Sequence, residues 1–172
     1  MKIENRFPGL DGLRAAACLL VIFHHVAQRL DIYSQHFILQ HIQLFFLMGN
    51  TGVSFFFVLS GFLLSYPFWK NYISNLDFPD ISNYAKRRAA RIVPGYYASF
   101  AVSTILALLF IPDMDYFARR LITGLTFTAG FHYTTLFPSF VNSPLWSISF
   151  EVFSYLLMPV FMFGLFRFTG EK

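Results

Sequence analysis

Three long stretches of this chain contain no aspartate, glutamate, lysine or arginine: residues 32–69, 92–112 and 121–150. Each is long enough to supply the ~20 mainly apolar residues that a helix needs to cross a bilayer. Only 13% of the 172 residues are charged, whereas a soluble domain has about 25%. The stretches are too long for barrel strands and lack a sustained alternation of apolar and polar residues. We therefore predict an all-α fold, a polytopic bundle of transmembrane helices.

The distribution of charge and proline predicts a single membrane domain over residues 1–172 with about five spans. We expect these spans at residues 10–30, 42–67, 92–112, 121–137 and 144–168. Pro67 is expected to end the second span, because proline lacks the N–H that continues a helix. The loop expected at residues 68–91 carries five lysines and arginines, and the positive-inside rule places it in the cytoplasm. Counting crossings then gives a cytoplasmic N-terminus and an external C-terminus.

The net charge of +4 comes mostly from this one basic loop, so it indicates charge at the membrane edge. No basic surface with interleaved aromatic residues lies outside the predicted spans, and nucleic acid is therefore not expected as a partner. Cys18 is the only cysteine, which excludes an intrachain disulfide. His36 and His41 fall on different helix faces, and we predict no metal site from them.

Arg14 and His25 are the most unusual residues of the first predicted span. They are eleven positions apart, which places both side chains on one helix face, roughly 16 Å apart along the axis. Ionisable groups inside a span cost on the order of several kcal/mol unless they face a partner or a wet cavity. Arg14 could bind a phosphate, and His25 could accept a proton from a hydroxyl. The alternative is that Arg14 reaches the interface and His25 is a buried hydrogen-bonding residue; His24, on another face, is expected to be structural.

Arg88 and Arg91 belong to a basic run just before the third predicted span. They are three positions apart and therefore neighbours on one helix face. Two guanidinium groups at a membrane surface suit a polyphosphate or a nucleotide. The alternative is a cluster that only sets topology or contacts anionic lipid.

Glu151 lies about 10 Å into the fifth predicted span, seven residues after Pro144. Ser147 and Tyr155 share its helix face, one turn before and one turn after it. A carboxylate within a membrane should be paired or protonated. His25 or an arginine could be its partner, and the sequence does not choose between them; functional and structural interpretations both remain open.

A stripe of small and polar residues marks the second predicted span, where Asn50, Ser54, Gly61 and Ser65 fall within about 60° of one another. Such a stripe lets another helix approach closely, and we predict helix packing there. It could equally line a groove for an acyl chain.

Four segments of the chain together resemble the membrane-bound acyltransferase 3 family of bacterial O-acyltransferases. They follow the family's order: LDGLRAAA (10–17) continuing to His25, GVSFFFVLSGF (52–62), RRAARIVPGY (87–96) and SPLWSISFE (143–151). The first is similar to the family's Arg-x10-His first helix, and the third to its Arg-x-x-Arg cluster followed by Pro-x-Tyr. Members of the family usually have more spans than are predicted here, so the chain resembles the N-terminal half of the domain.

This resemblance implies a membrane enzyme that moves an acyl group, often acetyl, from acyl-CoA to a hydroxyl of a carbohydrate. It implies acyl-CoA (acetyl-CoA) as donor substrate and no metal. Acceptors would be lipopolysaccharide, exopolysaccharide, peptidoglycan or another glycolipid, at the bacterial inner (cell) membrane. The surrounding partners would be membrane lipid and either the missing C-terminal half or another subunit.

The resemblance also implies roles for five residues. Arg14, Arg88 and Arg91 would hold the CoA phosphates, His25 would be the general base, and Glu151 would orient or balance the charge of His25 or an arginine. Two alternatives come from other classes. The residues could line a proton or anion path in a transporter or ion-channel subunit, or the chain could be an inactive truncated remnant of the enzyme.

Overall fold

A computed structural model of the protein describes residues 9–30, 36–111 and 113–168. Residues 1–8, 31–35, 112 and 169–172 lie outside this description. Within the described ranges the regular structure is entirely helical, with no β-strand. The α-helices are α1 (Leu10–Ala27), α2 (Phe37–Leu47), α3 (Thr51–Ile73), α4 (Ile81–Phe110), α5 (Phe117–Leu125) and α6 (Trp146–Phe168).

Among the described residues, three helical segments are long and apolar enough to cross a membrane: Phe37–Ile73, Ile81–Phe110 and Ser143–Phe168. The first combines α2 and α3 through the short 3₁₀ turn Met48–Asn50. Only 22% of each apolar stretch is buried against protein, as expected where lipid covers the remaining side chains. The helix α1 is apolar but shorter. The predicted all-α, multi-pass membrane class is therefore confirmed.

The chain divides into two compact units, residues 1–63 and residues 64–172. In the first unit, α1 runs antiparallel to α2 and the beginning of α3. The Cβ position of Gly52 lies 2.7 Å from the carbonyl oxygen of Ala17, and that of Gly49 overlaps the carbonyl of Leu20. Glycine is required at both points because any side chain would push the helices apart.

The predicted packing stripe does not make the close contact with α1. Asn50 and Ser54 are exposed, and Gly61 has no neighbouring atom within 4 Å of its Cβ position. The close approach is made instead by Gly49 and Gly52, which lie on the face turned towards α1. The stripe identified the correct kind of residue on the wrong side of the helix, because angular clustering does not say which face meets a neighbour.

In the second unit, α4 and α6 run antiparallel. Near the start of α4, the Tyr84 hydroxyl donates a hydrogen bond of 3.4 Å to the carbonyl of Tyr155. Further along, Tyr96 and Phe100 of α4 pack with Leu145, immediately before α6. A second buried cluster joins the end of α3 to both helices and contains Leu64, Phe68, Tyr84 and Met162.

The helix that contains the third predicted span begins before the span itself, in the segment expected to be a loop. The helix α4 begins at Ile81, and its N-cap Asp80 accepts hydrogen bonds from the backbone N–H groups of Ser82 and Asn83. This capping satisfies donors that a helix start would otherwise leave unpaired, so the whole basic run up to Arg91 is helical. Pro67 does not end the second span either, since α3 continues to Ile73. A membrane helix tolerates the lost hydrogen bond when neighbouring groups re-satisfy the backbone.

The predicted fourth span at residues 121–137 was also wrong. Helix α5 covers only the nine residues Phe117–Leu125, and it is followed by turns and the 3₁₀ segment Ala129–Phe131. The hydroxyls of Tyr96 and Tyr97 donate hydrogen bonds to the carbonyls of Gly124 (2.8 Å) and Leu125 (2.7 Å), which occupies carbonyls that a longer helix would use. Because α6 runs antiparallel to α4, the end of α6 lies at the same end of this unit as the start of α4. The predicted external C-terminus falls on residues 169–172, outside the described residues.

Candidate active site

The predicted site residues fall in both compact units. Arg14 and His25 lie on α1 in the first unit, whereas Arg88 and Arg91 on α4 and Glu151 on α6 lie in the second.

His25 lies in the last turn of α1 and is half-buried. Its Nδ1 is 3.1 Å from the Oε1 of Gln28, three residues later. An amide oxygen can only accept a hydrogen bond, so Nδ1 carries the proton in this pairing. In a neutral imidazole the lone pair then resides on Nε2. The local structure therefore leaves the lone pair of His25 on Nε2, and a general base requires such a lone pair to accept a proton.

Arg14 lies in the first half of the same helix and is also half-buried. Because α1 is a continuous helix from Leu10 to Ala27, the predicted alignment of Arg14 and His25 along one face holds in the structure. The two groups remain about three turns apart, at roughly 16 Å. They are aligned but do not form a pair.

His24 has the structural role predicted for it. Its Nδ1 lies 2.8 Å from the carbonyl oxygen of Leu47 at the end of α2, and a carbonyl can only accept, so His24 is the donor. Its ring also meets the ring of His25 edge-on, with centroids 5.3 Å apart. His24 thus ties α1 to α2 beside His25.

Arg88 lies between two tyrosine rings. Its guanidinium carbon is 5.5 Å from the ring centroid of Tyr84, one turn earlier on α4, and 5.8 Å from that of Tyr155 on α6. Both distances lie within the range of a cation–π interaction. The two rings hold the arginine between the helices, in a defined position.

Glu151 has Tyr155 as its described partner. The Tyr155 hydroxyl donates a hydrogen bond of 2.6 Å to the Oε1 of Glu151. Ser147, which shares this face in the sequence pattern, instead donates to the carbonyl of Pro144. The sequence leaves His25 or an arginine open as the partner of the Glu151 carboxylate. In the structure the partner is the hydroxyl of Tyr155, whose ring contacts Arg88.

Arg91 is exposed, one turn after Arg88 on α4. Tyr155 therefore joins two of the three predicted residues of the second unit, Arg88 through its ring and Glu151 through its hydroxyl.

A cavity of about 610 Å³ adjoins this cluster between α4 and α6. Of its fifteen lining residues, Arg88 is the only one with a charged side chain, and most of the others are aliphatic or aromatic. The cavity can accept an apolar segment beside a fixed cation. Such a combination suits a ligand that carries both a phosphate and an apolar arm.

Sequence reasoning missed two residues that contact the predicted site elements, one in each unit. Tyr84 is one turn before Arg88, a spacing that places the two side chains together on a helix, and this signal was available in the sequence. Gln43 of α2, which contacts the end of α1, gave no such signal, because its partners are backbone carbonyls sixteen and thirteen positions away.

The fold and these side chains define a multi-pass, all-α membrane protein with one arginine and several aromatic rings around an apolar cavity. Comparison with known proteins identifies the family. The chain belongs to the acyltransferase 3 family, whose model, described as "Acyltransferase domain", matches residues 7–172. This confirms the resemblance seen in the sequence motifs.

Three curated relatives illustrate the similarity. The chain is 31% identical to O-acetyltransferase OatA of Staphylococcus aureus (strain NCTC 8325 / PS 47) over 175 residues, covering 96% of the chain and 26% of that protein. It is 34% identical to putative peptidoglycan O-acetyltransferase YrhL of Bacillus subtilis (strain 168), covering 90% of the chain and 23% of the relative. It is 30% identical to acyltransferase MdmB of Streptomyces mycarofaciens, covering 90% and 39%. No solved structure matches the chain.

The chain spans between about a quarter and two fifths of the length of these relatives.

Proposed function

We propose that this chain functions in an integral-membrane O-acyltransferase. The enzyme moves an acyl group, in the simplest case acetyl, from acyl-CoA to a hydroxyl of a cell-surface carbohydrate or glycolipid. The observation that carries the proposal is membership of the acyltransferase family over residues 7–172. The relatives named as O-acetyltransferases support oxygen as the acceptor atom.

The donor is assigned to the arginines. Arg88 and Arg91 bind phosphate groups of CoA, because a planar guanidinium can donate two hydrogen bonds to the oxygens of one phosphate. Arg14 is assigned the same class of contact. The cavity beside Arg88 supports this assignment, since its volume of about 610 Å³ leaves room for the pantetheine arm that follows the phosphates.

His25 is assigned as the general base. Its Nε2 accepts the proton of the acceptor hydroxyl while the hydroxyl oxygen forms a bond to the thioester carbonyl carbon. The carbon–sulfur bond then breaks, and the proton passes to the thiolate of the departing CoA. The hydrogen bond of Nδ1 to Gln28 supports this role, because it directs the lone pair to Nε2.

Glu151 is assigned to positioning. Its hydrogen bond fixes the Tyr155 hydroxyl, and the Tyr155 ring contacts Arg88. A carboxylate held this way orients the donor-binding arginine without taking part in the bond changes.

The acceptor proposed is a glycan at the bacterial cell (inner) membrane. Peptidoglycan is favoured because it appears in the name of one relative, and lipopolysaccharide remains within the same chemical class. The donor-binding arginines are placed on the cytoplasmic side by the positive-inside rule, which also gives a cytoplasmic N-terminus.

Radiolabelled acetyl-CoA tests the proposal in membrane vesicles from cells that make the protein. Inside-out vesicles, which expose the cytoplasmic face, should incorporate label into glycan. Sealed right-side-out vesicles should not, because CoA does not cross a bilayer. Absence of label in glycan from both preparations would reject acyl transfer and favour a transporter or an inactive chain.

A further inference from the structure

Gln43 is a fully buried polar residue of α2, with 2% of its surface exposed. Its Nε2 donates hydrogen bonds to the carbonyl of Ala27 (2.8 Å) and to the carbonyl of Leu30 (3.0 Å). These carbonyls belong to the end of α1 and the turn after it. The carbonyl of Ala27 also accepts a backbone hydrogen bond of 3.2 Å from the N–H of Leu30, so Gln43 adds a second donor there and acts as a side-chain cap supplied by another helix.

The orientation of this amide is fixed by its partners. Carbonyl oxygens only accept, so the nitrogen must face them and both of its hydrogens are used. The Oε1 of Gln43 therefore points elsewhere, and it is buried without a hydrogen-bond partner within the described ranges. An unpaired buried acceptor destabilises a protein. An apolar side chain of the same length would have no unpaired acceptor and would avoid this cost. The two hydrogen bonds that the amide nitrogen donates are therefore the contribution that an apolar side chain could not make.

The capped segment is the one that carries His25. Gln28, which holds the Nδ1 of His25, lies between the two carbonyls that Gln43 binds. One turn further along α2, the carbonyl of Leu47 accepts the hydrogen bond from His24. The end of α1 is thus held by α2 at two points, one on each side of the His25–Gln28 pair.

We propose that Gln43 is a positioning residue for His25. By fixing the turn that contains Gln28, it keeps Nδ1 of His25 protonated and leaves the lone pair on Nε2. This inference rests on the proposed function for its consequence in catalysis, but the effect on the His25 tautomer is independent of any activity.

The kinetic test uses Gln43→Met, which keeps the length of the side chain and removes both donors, in the full-length membrane protein. The matched control is Gln40→Met, one turn earlier on the same helix. We expect Gln43→Met to lower kcat at least tenfold, to leave KM for acetyl-CoA within twofold, and to move the acidic limb of the pH–rate profile. A purely structural role would lower the amount of folded enzyme and leave the pH profile of the remainder unchanged, and that result would overturn the proposal.

The spectroscopic test needs no activity. In protein labelled with ¹⁵N-histidine, His25→Gln identifies the His25 signals, and their shifts report the tautomer. We expect Nδ1–H in the unchanged protein and a larger Nε2–H population in Gln43→Met, or in Gln43→Leu if the methionine variant does not accumulate. Unchanged His25 signals would overturn the inference. A changed tautomer in a protein that transfers no acetyl group would instead reject the proposed function and retain the role of Gln43.

Discussion

The hydroxyl of Tyr155 donates a hydrogen bond to the carboxylate of Glu151 one turn earlier on α6, over 2.6 Å. The same tyrosine presents its ring to the guanidinium of Arg88 on α4. A single side chain therefore connects the acidic and the basic residue that the sequence had singled out. The predictions below begin with this connection.

Tyr155→Phe separates the two functions of this tyrosine. The ring and its contact with Arg88 remain, but Glu151 loses its donor, and hydrogen bonds to charged groups contribute about 1.5–3 kcal/mol. We expect kcat/KM for acetyl-CoA to fall about tenfold or more, measured as transfer in membrane vesicles. Tyr133→Phe, which removes the hydroxyl of a tyrosine that is 84% exposed, is the control. Equal activity of the two variants would show that the bond to Glu151 does not matter.

Arg88→Ala combined with Arg91→Ala should raise KM for acetyl-CoA at least tenfold with a smaller effect on kcat. The reason is that the two guanidiniums are assigned to the phosphates of the donor and not to the bond changes. Arg87→Ala is the control, since this neighbour points to a different face of α4. An unchanged KM in the double variant would remove the phosphate contact from the mechanism.

His25→Ala should lose catalytic activity, whereas His24→Ala should lose thermal stability. Loss of a general base lowers the rate by about 10²- to 10⁴-fold, so His25→Ala should be folded and nearly inactive. His24→Ala removes the hydrogen bond to Leu47, and a typical hydrogen bond contributes about 1 kcal/mol, so its melting temperature in detergent should fall. Full acyl transfer by His25→Ala would contradict the assignment of the base.

Gly49→Ala should destabilise the first unit. A Cβ at this position overlaps the carbonyl of Leu20 on α1, and overpacking of this kind costs about 1–3 kcal/mol. The measurement is thermal unfolding in detergent, with Gly61→Ala as the matched control because nothing lies within 4 Å of its Cβ position. If both alanine variants melt at the same temperature, the close contact between α1 and the segment before α3 is not required for stability.

The class of fold and the long helices were predictable because the signal is local. Charge-free stretches long enough to cross a bilayer are visible directly in the sequence, and α3, α4 and α6 each overlap one of the regions so identified. The region after α5 has the same freedom from charge, but residues 126–142 contain threonine, serine, glycine and proline in turns. Hydropathy alone did not distinguish these apolar turns from a span.

The contacts of the site were less predictable because they are set by packing between helices. Spacing placed Arg88 beside Arg91 and Glu151 beside Tyr155, and both placements follow from the helical repeat. It did not show that Tyr155 would meet Arg88, since that depends on the antiparallel alignment of α4 and α6. The role of Gln43 could not be predicted for the same reason, because its partners are backbone carbonyls and no sequence pattern identifies them.

Because α6 runs back alongside α4, the turn before α4 and the end of α6 lie on the same side. Consider one peptide tag in the turn at residues 74–80 and a second tag after residue 168. Both tags would be exposed to the same aqueous compartment, whichever way the protein is inserted. Protease or antibody access to one tag should therefore always accompany access to the other.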